Sequence, residues 1–104
     1  MTNADLIASF INANQTAYFT FYTSLAKTLV KDLRNADVDM YYLNQAEKYA
    51  AELNQIAKDQ DTFDVDYFNT CVVKGVNQFK GWVNNENTEN DVKTACQSFL
   101  AYIN

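Results

Sequence analysis

The residues best equipped for chemistry are Asp59, Asp61, Asp64 and Asp66, four carboxylates crowded into one short stretch. Such a cluster can ligate calcium, or can supply a general acid and base if two members sit in different environments. An EF-hand loop requires an oxygen ligand at its fifth position, glycine at its sixth and glutamate at its twelfth. Counted from Asp59, those positions hold Phe63, Asp64 and Thr70. A catalytic carboxylate pair needs a cleft, and an exposed turn between helices does not provide one. The expectation is a solvated loop that ends in a helix cap at Asp64, with no metal site and no catalytic residue.

The rest of the inventory points the same way. The chain has no histidine, which removes the commonest general base and metal ligand along with Ser-His and Cys-His nucleophile pairs. Cys71 and Cys96 cannot complete a four-ligand zinc or iron-sulfur site alone. The two glycines, Gly75 and Gly81, build neither a phosphate-binding loop nor a dinucleotide fingerprint. No cofactor is expected.

Charge is the positive signal. Between Asp37 and Asp66 the chain carries Asp37, Asp39, Glu47, Glu52, Asp59, Asp61, Asp64 and Asp66 against Lys48 and Lys58. Eight carboxylates and two lysines leave −6 in that span, more than the whole chain's net −5. This acidic pole disfavours contact with nucleic acid or an anionic membrane and attracts a basic protein surface. Met40 and Tyr41 add apolar anchors beside Asp37 and Asp39, a combination common at interfaces.

The elements that must position these residues are helices. The chain is 48% hydrophobic, has no proline and does not space turn residues as a β-sandwich would. Apolar residues recur at helical spacing along four stripes. The first joins Ile7, Ile11, Tyr18, Leu25 and Leu29, flanked by Phe10, Phe21, Tyr22 and Leu33. Its length exceeds that of its partners and marks Asn12 to Thr16 as the place for a kink or break. The second joins Val38, Tyr42, Ala46, Tyr49, Leu53 and Ile56, capped by Asn35 or Asp37 and ending near Lys58. The third joins Val65, Phe68, Val72, Val76, Phe79 and Val83, with Cys71 and Trp82 at its edge and Phe63 and Phe68 as a hydrophobic staple around Asp64. The fourth joins Val92, Cys96, Phe99 and Ile103, behind a variant capping box at Thr88 and Asp91. Short connections between amphipathic helices predict a small antiparallel four-helix bundle forming a single domain over residues 1–104.

In that bundle Cys71 and Cys96 are offset by about 9 Å along the helix axes, beyond the reach of a disulfide, so both thiols are expected to be reduced. Gly75 lies on an apolar stripe and costs about 1 kcal/mol there unless a neighbouring ring or helix needs the space; close packing is the expected reason. Phe19, Val30, Met40, Tyr41, Val73 and Tyr102 fall off the stripes and are candidates for a second contact surface. The first fifteen residues lack the basic start and apolar run of an export signal, and no run is long enough to span a bilayer; a cytoplasmic protein is expected.

These features predict a non-catalytic protein-binding module that meets a partner with a basic surface. The sharpest form is an acidic inhibitor that mimics nucleic acid against a basic nucleic-acid-handling protein, as phage-encoded counter-defence proteins do in the host cytoplasm. Its contact residues would be Asp37, Asp39, Met40, Tyr41, Glu47, Glu52, Asp59, Asp61, Asp64 and Asp66. A helical carrier of a small apolar ligand and a self-assembling, homo-oligomeric structural subunit are the alternatives, separated from it by an internal cavity and by concentration-dependent mass.

Overall fold

The computed structural model describes the backbone of residues 3–58 and 65–103, and the side chains of 17–58 and 66–103. Those residues form four helices, α1 (Asn3–Asn35), α2 (Met40–Lys58), α3 (Val65–Asn84) and α4 (Asn90–Ala101). Helix α1 continues through residues 12–16 without a break. At 1.5 Å per residue it is about 50 Å long, whereas α4 is about 18 Å, and the molecule measures 56 × 23 × 21 Å.

The helices form an antiparallel ring in which α1 packs on α2 and α4, and α3 packs on α4 and α2. Contacts between their ends establish the order. Asp39, between α1 and α2, donates its backbone N–H to Glu89, between α3 and α4, at 2.9 Å, so these two connections meet at one end. Gln78 of α3 approaches Gln45 of α2 at 3.4 Å, and further along the same seam Tyr49 reaches the Val72 carbonyl at 3.5 Å, as antiparallel neighbours require.

The core contains Leu29 and Leu33 of α1, Ala46 and Leu53 of α2, Phe68 and Phe79 of α3, and Val92, Cys96 and Phe99 of α4. These are stripe or flanking residues. Phe19 and Val30, expected off the stripe, are buried instead. The reason lies in how α1 is surrounded: α2 and α4 flank it, and Phe68 of α3 meets Phe19 edge to face at 4.2 Å. Its buried arc is therefore broader than a single stripe. Because α4 has only 12 residues, it leaves part of the seam between α1 and α3 to aromatic side chains. Tyr18 contacts Phe68 there and donates its hydroxyl proton to Asn69.

Helix boundaries differ from the expected caps in two places. Helix α2 is capped by Asp39, whose Oδ1 accepts the Tyr41 N–H at 2.9 Å. Asp37 instead takes a left-handed conformation, φ 55°, tolerable for Asp because its short polar side chain competes locally for hydrogen bonds. At α4 the cap residue is Glu89, and no side chain caps the helix. Thr88, expected to start a capping box, is buried, while the Glu89 carboxylate reaches across to Asp39. The Asp64 cap and the Phe63 half of the staple lie outside the described residues.

Cys71 and Cys96 are both free thiols. Burial pushes Cys96 from the ordinary thiol value of 9.0 to about 12. Cys71 is also raised, chiefly by burial and then by the Glu52 charge, against opposing effects from Tyr67 and Lys74. Native protein at pH 8 should react with Ellman's reagent slowly at Cys71 and, at Cys96, only after unfolding. Because the neutral thiol is favoured in the folded state, this contribution to stability is complete below pH 9 and is lost as pH rises toward 12. Two fast-reacting thiols in folded protein would contradict the burial of Cys96.

Candidate functional site

The end of the bundle where the α1–α2 and α3–α4 connections meet carries the candidate site. Residues 36–39 and 85–89 contain Asp37, Asp39, Glu86 and Glu89 and no lysine or arginine. Beside them Met40 is 60% exposed and Tyr41 55% exposed, large apolar surfaces that the core could have used. Tyr41 and Tyr42 lie edge to face at 5.3 Å, Tyr42 and Trp82 at 5.0 Å, and Tyr41 and Trp82 at 6.2 Å with a 57° tilt. Beneath them Phe79, fully buried, supports Trp82 at 5.3 Å.

The carboxylates beside this aromatic surface are held by backbone donors. Asp39 Oδ1 is fixed by the Tyr41 N–H, and Glu89 Oε2 by the Asp39 N–H. Each bond uses one oxygen and leaves the other available, while ordering a side chain that would otherwise sample many rotamers. Among the described residues neither carboxylate forms an ion pair.

Of the ten acidic and apolar residues predicted from the sequence, Asp37, Asp39, Met40 and Tyr41 come together at this end. Glu47, Glu52 and Asp66 lie apart from it. Glu47 pairs with Arg34 at 2.8 Å on an exposed surface. Glu52 emerges about 140° around α2 from Glu47 and lines a groove between α2 and α3. Asp66 stands near the start of α3, about 24 Å along that helix from Trp82. Asp59, Asp61 and Asp64 lie outside the described residues. Among those that are described, no group of three or more carboxylates or thiols is arranged to hold a metal ion.

Tyr42, Trp82, Glu86 and Glu89 were missed as site residues because each was read by its own helix or turn. The missing signal was topological. In an up-and-down bundle the first and third connections share an end, so residues near positions 37–42 and 82–89 become neighbours despite their separation in sequence.

The groove between α2 and α3 has a volume of about 180 Å³ and is lined by Gln45, Lys48, Tyr49, Glu52, Cys71, Lys74, Gly75 and Gln78. It opens to solvent on one side and carries Lys48, Glu52 and Lys74 in its lining, so among the described residues it is not the enclosed apolar cavity that a carrier of a small apolar ligand needs. A second pocket, between α1 and α4, has a volume of only about 30 Å³. The chain matches no family model, no curated protein and no solved structure. No helix among the described residues is long and apolar enough to cross a membrane.

Proposed function

We propose that the chain is a non-catalytic protein-binding module whose working surface is the end formed by Met40, Tyr41, Tyr42 and Trp82, rimmed by Asp37, Asp39, Glu86 and Glu89. The observation that carries this reading is the exposure of Met40 and Tyr41 next to carboxylates held in place by backbone N–H groups. Aromatic and methionine side chains concentrate binding energy at interface centres, while rim charges guide encounter with a complementary surface. The partner is a protein with a basic surface, the class that includes nucleic-acid-handling proteins. The scattered directions of Glu47 and Glu52 favour contact at the end of the bundle over a row of carboxylates along α2.

The test is capture of the partner from the natural host, followed by measured binding of variants. Met40→Ala combined with Tyr41→Ala should weaken binding by about 30-fold or more, as loss of an anchor worth 2 kcal/mol does. Asp39→Asn with Glu89→Gln should lower the association rate and reduce its salt dependence. Glu52→Lys, remote from this end, should leave affinity within about twofold. A partner that tolerates loss of Met40 and Tyr41 but not the change at Glu52 would refute the assignment.

A further inference from the structure

The three rings at this end have an arrangement that discriminates between cations. Tyr41, Tyr42 and Trp82 pack against one another at 5.0–6.2 Å, too close to enclose a cation between them. What remains for a ligand is their outer surface, and among the described residues no lysine or arginine of the chain covers Tyr41 or Trp82. A compact, strongly hydrated ammonium gains most when surrounded by ring faces. A planar, weakly hydrated guanidinium can lie flat on one exposed face and direct its N–H fork sideways. At the same end of the bundle stand two carboxylates: Glu89 accepts the Asp39 backbone N–H, and Asp39 accepts the N–H of Tyr41 itself. Each has an oxygen left to accept a charge-assisted hydrogen bond.

We infer that this surface recognises arginine specifically, seating the guanidinium of a partner segment flat on the exposed Tyr41 ring, beside the half-buried Trp82, while the carboxylates of Asp39 and Glu89 accept its N–H groups. The inference rests on the docking surface proposed above and narrows its partner to a protein segment that presents an exposed arginine. Neutral aromatic stacking alone would not need the carboxylates, and simple charge attraction would not distinguish arginine from lysine. The combined site requires both.

Trp82 is the chain's single tryptophan, so its emission reports on the site directly. Full-length protein is titrated with three capped tripeptides, glycine-arginine-glycine, glycine-lysine-glycine and glycine-citrulline-glycine, at low ionic strength. Shifts of the Trp82 indole N–H and Tyr41 amide NMR signals are followed in parallel. The arginine peptide should perturb both reporters saturably, in the millimolar range expected of one exposed contact. The lysine peptide should bind about fivefold or more weakly, and the uncharged citrulline peptide should show no saturation. Asp39→Asn with Glu89→Gln, which keeps the size of both side chains and one oxygen to accept each backbone N–H but replaces the second acceptor with an NH2 donor, should weaken arginine binding by about tenfold. Its fold is checked by far-ultraviolet circular dichroism.

Equal affinity for arginine and lysine, saturable citrulline binding, or no perturbation by any peptide up to tens of millimolar would overturn arginine recognition. If the natural partner still requires Met40 and Tyr41 in those cases, the docking surface stands with a different partner chemistry. If the partner ignores Met40 and Tyr41, the docking surface itself is wrong.

Discussion

Phe79→Ala should cost about 3–5 kcal/mol of stability, the range seen when a large aromatic is removed from a core that cannot collapse into the space. Phe79 is fully buried and touches Tyr49 of α2 at 5.2 Å, Phe99 of α4 at 5.2 Å and Trp82 of its own helix at 5.3 Å. Its removal withdraws a shared contact from three helices at once. For a domain of this size the midpoint of thermal unfolding should fall on the order of 15–30 °C. Phe21→Ala is the matching control: Phe21 is 43% exposed, and its loss should cost only about 1 kcal/mol. The substitution at position 79 has a second consequence, because Phe79 supports Trp82, the ring beside Tyr41 in the proposed site. In whatever fraction of Phe79→Ala protein remains folded, Trp82 emission should move to longer wavelength and arginine-peptide binding should weaken. A variant that unfolds within a few degrees of the parent would mean that the aromatic core is less cooperative than its ring contacts indicate.

The same residues show how far a sequence can be read. Periodicity placed Phe79, Phe68, Leu53 and Cys96 in the core, because each helix has one side that solvent disfavours and spacing alone identifies it. Phe19 and Val30 were misplaced because periodicity describes one helix at a time. The width of a buried arc depends on how many neighbours a helix has, and α1 has two flanking helices and a ring from a third. The caps expected for α2 and α4 failed for a related reason. Several Asn, Asp, Thr and Glu residues compete within each connection of this chain, and the winner is set by where the two connections at one end of the bundle come to rest. Glu89 leaves its own helix without a side-chain cap because its carboxylate is engaged by Asp39.

That exchange links fold to site. A side-chain cap is worth about 1 kcal/mol to a helix, and at α4 that contribution is absent while a bond between connections is present. Its effect is to hold the α1–α2 connection, and with it Tyr41 and Tyr42, against the end of α3 that carries Trp82. The acidic composition, legible at once from the sequence, indicated attraction to a basic partner but not which carboxylates act together. Their backbone bonds at the end of the bundle separate Asp39 and Glu89 from Glu47, whose charge is matched by Arg34, and from Glu52 in the groove between α2 and α3.

Gly75→Ala and Gly81→Ala should shift stability in opposite directions, although each replaces a helical glycine with the best helix former. In a helix alanine is favoured over glycine by about 1 kcal/mol. At Gly81 nothing lies within 4 Å of the position a Cβ would occupy, so most of that gain should appear as a rise in melting temperature of several degrees. At Gly75 the added Cβ would fall 2.7 Å from Cδ2 of Tyr49 and closer still to Cε2. The Tyr49 ring has little room to retreat: it packs edge to face on Phe79 and Phe99, and its hydroxyl points at the Val72 carbonyl. Overpacking of this kind costs up to about 3 kcal/mol, which the alanine preference offsets by only about 1, leaving a net loss of about 2 kcal/mol. Combining Gly75→Ala with Tyr49→Leu separates this clash from any effect of backbone rigidity. If the ring is the obstacle, the double variant should be more stable than the sum of the single losses by about 1–3 kcal/mol, measured by urea unfolding. Strict additivity, or a stabilising Gly75→Ala, would show that the seam between α2 and α3 is looser than the contact of Tyr49 with Gly75 implies, and that glycine is not required there by its neighbour.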